Sequence, residues 1–72
     1  FSISSAGPVN LSIYDVSGKL VTTLIDRRVA GGRHTVRWNG TNSSGSEMAS
    51  GIYFYRLRTP AETITRKMIL LR

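Results

Sequence analysis

Few residues in this 72-residue chain have side chains suited to chemistry, and the densest group is Asp15-Val16-Ser17-Gly18-Lys19, within IYDVSGKLVTTL. A carboxylate, a hydroxyl and an ammonium around a glycine raise the question of a phosphate or ion site. A phosphate loop needs the order G-x-x-x-x-G-K-[ST] between a strand and a helix, so that backbone N–H groups and the helix N-terminus converge on the anion. Here Leu20 follows Lys19, Ile13 stands where the first glycine belongs, and an apolar, β-branched segment follows instead of a helix. The same residues fit a hairpin turn. Asp15 suits its first position, where a carboxylate accepts local backbone hydrogen bonds, and Gly18 suits the position that needs positive φ. Lys19 is then exposed at the start of the next strand.

The remaining candidates are sparse. His34 is the only histidine, and its alternation with Val36 and Trp38 marks it as a packed or hydrogen-bonded residue rather than a general base. A serine nucleophile would need His34 and an orienting acid gathered around a pocket. The serines instead fall in turn-like stretches, where serine is expected for its local hydrogen bonds. The four acids are scattered, with no paired-carboxylate spacing. WNGTNSSGSEMASG offers Asn39, Asn42, Ser44 and Glu47 as oxygen ligands, but only one is a carboxylate and the D-x-[DN]-x-[DN]-G order of a calcium loop is missing. A turn-rich connection is the simpler reading. Asn10, Asn39 and Asn42 begin N-x-[ST] sequons, a motif too short to carry weight alone. The sequence therefore points away from an enzyme, a metal site or a cofactor.

These residues must be positioned by a small all-β body. Turn residues separate six short segments with strand character: Phe1–Ser4, Val9–Tyr14, Leu20–Ile25, Arg33–Trp38, Ile52–Arg58 and Thr63–Leu71. Val9, Leu11 and Ile13 alternate with Asn10, Ser12 and Tyr14. Tyr53, Tyr55 and Leu57 alternate with Phe54, Arg56 and Arg58. No segment shows a sustained helical period with caps. The pattern predicts one small antiparallel β-sandwich of about six to seven strands. No apolar run approaches the roughly 20 residues of a membrane helix, and cysteine is absent. The chain opens on Phe1 inside a strand-like segment, so it is read as the C-terminal fragment of a larger protein. Ten Lys and Arg against four Asp and Glu give a net charge of +6, which favours anionic partners. Nucleic acid is not the favoured one. A single-strand binder presents aromatics on a basic groove, and Phe54 alone is placed to do so.

Two stretches carry a resemblance: VNLSIYDVSGKLVTTLIDRRVAGGRHTVRWNG, Val9 to Gly40, and GSEMASGIYFYRLRTPAETITRKMILLR, Gly45 to Arg72. Their ordered features are Tyr14, Asp15, Gly18 and Lys19; then Gly32, His34 and Trp38; then Ser50, Gly51, Tyr53, Arg56 and Leu57; and last Arg66 and Lys67 before Met68-Ile69-Leu70-Leu71. Together they resemble the Ig-like C-terminal sorting domains of bacterial type IX secretion cargo. They are equally similar to the related Ig-like domain of flagellar hook-capping proteins. The chain's apolar close favours the sorting branch.

That branch implies a non-catalytic address that folds in the periplasm and is recognised by the outer-membrane secretion machinery. It carries an upstream cargo domain to the cell surface or the medium, with anionic lipopolysaccharide as a possible attachment point. The hook-capping branch implies a structural assembly module, with self-association through edge strands as one physical route. An accessory domain for an anionic polysaccharide is the third reading. The resemblance assigns recognition to Lys19, Arg56, Arg66 and Lys67, although exposed Lys and Arg also protect strand edges. Asp15, Gly18, Gly32, Gly40, Gly45 and Gly51, with Gly31, would set turns. Val9, Leu11, Ile13, Val36, Trp38, Tyr53, Tyr55, Leu57, Met68 and Leu70 would form the core.

Overall fold

A computed structural model describes all 72 residues, Phe1–Arg72. The chain is all-β, with six strands in chain order: β1 (Ser2–Ile3), β2 (Gly7–Tyr14), β3 (Leu20–Val29), β4 (Gly32–Arg33), β5 (Gly51–Arg58) and β6 (Thr63–Leu70). Four form an antiparallel sheet in the order β3-β2-β5-β6, and β1 pairs with β4 in a two-stranded sheet.

The period-2 patterns decide which face is buried. On β2, Val9, Leu11 and Ile13 turn inward, and their neighbours on β5 are set by the pairs Leu11↔Leu57 and Ile13↔Tyr55. Two hydrophobic clusters result. Val9, Leu11, Ile25, Val29 and Leu57 form one, and Ile13, Val21 and Tyr53 the other. Trp38, Tyr55, Met68 and Leu70 are half-buried and pack against the second cluster.

β3 departs from the expected span. It runs past Ile25 to Val29, through Asp26, Arg27 and Arg28, and pairs there with Gly7 to Asn10. An edge strand can carry charges because one flank and one face meet solvent, so the charges that end an apolar run do not end the strand. Register shifts at Leu11/Ser12 and Ile13/Tyr14 re-aim β3, and Val21, Ile25 and Val29 all enter the core.

The larger correction concerns Arg33–Trp38, which is not a strand. Only Gly32 and Arg33 pair, with Ile3 and Ser2, and two backbone bonds between Phe1 and His34 extend the contact. No strand lies alongside the following residues, so side chains hold them down instead. Val36 was expected in the core and is 37% exposed, because this unpaired segment lies across the sheet as a loose cover. The second layer is the β1–β4 pair and the irregular run from His34 to Ser50, with one bridge between Thr41 and Glu47.

Candidate functional site

The Asp15 turn is built from local hydrogen bonds. Asp15 Oδ1 accepts from Ser17 N (2.9 Å), Ser17 Oγ (2.6 Å) and Lys19 N (3.0 Å). Gly18 N donates to Asp15 O at 3.0 Å. The carboxylate is committed to the turn and no helix follows it, so nothing here cradles a phosphate.

The Ser17 hydroxyl above all, then the Lys19 amide, holds the Asp15 carboxyl below its ordinary pKa. A depressed carboxylate pKa adds stability that is present above the unfolded-state value and lost as pH falls through the folded one. The Asp15 carboxyl carbon, followed by NMR, is expected to titrate below the usual aspartate range. Ser17→Ala should move that midpoint back up; an unchanged midpoint would show that the Ser17 hydroxyl has no such role.

The same turn recurs in the second layer. Asn42 Oδ1 accepts from Ser44 N and Ser46 N, both at 3.0 Å, and Gly45 N donates to Asn42 O at 3.0 Å. D-V-S-G-K and N-S-S-G-S are thus one device, with φ of 85° at Gly18 and 84° at Gly45. Asn39 Oδ1 similarly takes Thr41 N and Thr41 Oγ1. The Asn39 and Asn42 oxygens that could have suggested calcium therefore serve the turns. Glu47 meets Arg72 at 3.6 Å.

Gly18, Gly32, Gly40, Gly45 and Gly51 all have positive φ; Gly31 does not and instead lies close to the backbone of Ser5. Gly40 is the most constrained (φ 80°), since an added Cβ would stand 2.6 Å from Arg72 Nη2 and 3.1 Å from Leu70 Cδ1. Arg72 donates there to the carbonyls of Gly40 and Met48. Gly40→Ala is expected to cost about 1–3 kcal/mol from backbone strain and displacement of Arg72. Thermal unfolding in wild-type and Arg72→Ala backgrounds would separate the two contributions. No loss in either background would contradict this.

His34 offers no catalytic arrangement. Its ring stacks on Phe1 at 5.1 Å between centroids, and Nε2 lies 2.6 Å from Ala30 O. No carboxylate or serine hydroxyl bonds to it.

The four basic residues singled out for recognition do not form one patch. Lys19 lies in the β2–β3 turn. Arg56 and Lys67 share the outer face of the sheet, the side away from the second layer. Arg66 turns the other way and lines a groove under the sheet. Arg56 is half-buried, with Nη2 donating to Tyr14 Oη at 2.6 Å and its guanidinium 4.9 Å from the Tyr14 ring centre. Its Nε has no partner. Phe54, also half-buried, joins Tyr14 in a shallow depression beside it.

One groove is lined almost entirely by apolar side chains. It has a volume of about 440 Å³ and runs between the sheet's inner face and the cover formed by Phe1, Val36 and Trp38. It reaches the sheet margin through Ile64, Arg66 and Met68 of β6. Along that margin β6 has β5 as its single partner. Sequence reasoning missed the groove because it took the cover for a regular strand that would seal the sandwich. The signal available was Gly31-Gly32 before that segment and the polar run Asn39–Ser46 after it.

With this geometry established, a family model described as the FlgD Ig-like domain matches residues 3–61. The chain belongs to the FlgD Ig-like domain family. No curated protein and no solved structure matches it. Of the two resemblances drawn from the sequence, the match supports the flagellar hook-capping one. The matched part of this FlgD Ig-like domain runs from Ile3 at the end of β1 through β5 and both Asx-type turns, and β6 lies beyond it.

Proposed function

We propose that this FlgD Ig-like domain is a non-catalytic assembly module, of the kind found in flagellar hook-capping proteins, which acts by presenting a folded surface to other proteins. The family match carries the reading. The chemistry supports it, since Asp15, Asn39 and Asn42 are spent on turns and His34 on a stacked contact, while an apolar groove and a basic strand edge are left for contact. The partners on this reading are neighbouring subunits of an exported structure, and the domain works outside the cytoplasm.

The competing reading is a sorting address for the type IX translocon, with cargo upstream and lipopolysaccharide at the destination. Its support is β6, which lies outside the family match and places Arg66 and Lys67 just before Met68-Ile69-Leu70-Leu71. An export assay separates the two. The 72 residues are fused behind a signal peptide and a reporter, then expressed in type IX-competent and translocon-deleted strains of one host. The assembly reading predicts folded reporter retained in the periplasm of both. Reporter outside the competent strain alone would establish sorting and overturn it.

A further inference from the structure

The open margin of β6 has two properties that fit together. The first is its backbone. Thr59 N donates to Glu62 O at 2.8 Å across the β5–β6 turn, and the ladder continues through Leu57↔Ile64, Tyr55↔Arg66 and Tyr53↔Met68. Hydrogen-bonded pairs alternate along an antiparallel ladder. Those even-numbered residues of β6 therefore bond to β5, and Thr63, Thr65, Lys67 and Ile69 turn their N–H and C=O groups to the open side. The second is the pair of surfaces that flank this edge. Ile64, Arg66 and Met68 face the apolar groove, and Thr65, Lys67 and Ile69 are exposed on the outer face.

We propose that β6 receives an extended segment of a partner protein as a fifth strand, and that this segment alternates apolar and acidic residues. Side chains of an added strand would alternate between the two flanking surfaces. One set enters the groove, and the other lies beside Lys67 with Arg56 and Arg58 behind it. The charge follows from composition: β5 and β6 hold Arg56, Arg58, Arg66 and Lys67 and no acid, within a chain of net charge +6. A second copy adding β6 to β6 would set Arg66 and Lys67 against their own counterparts. The β3 edge is no better a complement, since Arg27 and Arg28 outnumber Asp26 there. Protection by Arg66 and Lys67 against nonspecific pairing is then also selection, because an acidic strand is the one they admit. This proposal rests on the assembly reading and names the partner's chemistry.

The test uses the 72-residue chain and a synthetic peptide of alternating Glu and Val, eight residues long to match β6, with an alternating Lys and Val peptide as its counterpart. NMR hydrogen exchange is expected to show new protection at the amides of Thr63, Thr65, Lys67 and Ile69 with the acidic peptide, and Trp38 fluorescence to change as the groove fills. Arg66→Glu with Lys67→Glu should weaken binding by roughly tenfold or more. Thr65→Pro should weaken it similarly, since proline on an open edge blocks pairing without removing a β5 bond.

Equal binding of both peptides, protection along β3, absence of binding, or prior dimerisation through β6 would each overturn the proposal. None of these would overturn the assembly reading, which the export assay tests separately.

Discussion

Replacing Ile13 with alanine is expected to unfold much of the population. Ile13 is 2% exposed and is the largest fully enclosed side chain in the chain. It lies on β2, which pairs on both flanks, with Thr22 of β3 and Tyr55 of β5. The pocket it fills is made by Val21 and Tyr53, with Leu24, Trp38 and Met68 packed around them, and a strand held on both sides cannot collapse into a void. Loss of the buried carbons together with the cavity left behind costs about 2–5 kcal/mol for such a change. A single core of this size rarely supplies more than about 3–5 kcal/mol, and cysteine is absent, so no disulfide adds to it. Urea unfolding should show Ile13→Ala near or beyond its midpoint without denaturant, and Ile13→Val destabilised by only about 1 kcal/mol. An alanine variant as stable as wild type would mean that the two-cluster core is wrongly placed.

Trp38→Ala is expected to release the cover and leave the sheet standing. Trp38 meets the Tyr53 ring edge-on at 5.1 Å, and its Nε1 donates to Thr41 O at 2.8 Å. The ring contact ties the irregular run to the sheet in place of the ladder bonds that a strand would have made, and the hydrogen bond braces the run on itself. Removing the indole costs about 3 kcal/mol, at the low end for a large aromatic because the side chain is half-buried. The loss should be local. Hydrogen-exchange protection should fall first at Met48 N and Asn42 N, whose bonds to Gly40 O and Ser46 O lie in the second layer, and persist in β2 and β5. Trp38→Phe keeps the ring contact and loses the hydrogen bond, at about 1 kcal/mol. Uniform loss of protection across all strands would contradict the idea of a separate cover.

The parts of the fold legible in the sequence are those fixed by local rules. Val9-Asn10-Leu11-Ser12-Ile13 reads as a half-buried strand because its period is unbroken, and β2 is that strand. Asp15 and Gly18 announce their turn because carboxylate capping and positive φ are properties of residue type. Arg33 to Trp38 alternates just as cleanly, yet alternation shows only that a segment could pair. Whether a partner lies alongside is a property of topology. The Asn42 turn repeats the backbone bonds of the Asp15 turn without the Ser17 hydroxyl's counterpart, but Asn and Ser at those positions were too common to single out. Arg66 and Lys67 were adjacent in sequence and so taken together. On a strand adjacency means opposite faces, and only the structure shows that one lines a groove while the other faces out.

The central claim is that this domain works by joining an exported assembly. Its most direct test is an in-frame deletion of the codons for these 72 residues, with electron microscopy of the cell surface. The account predicts that extracellular appendages are lost or truncated. Intact appendages would contradict it.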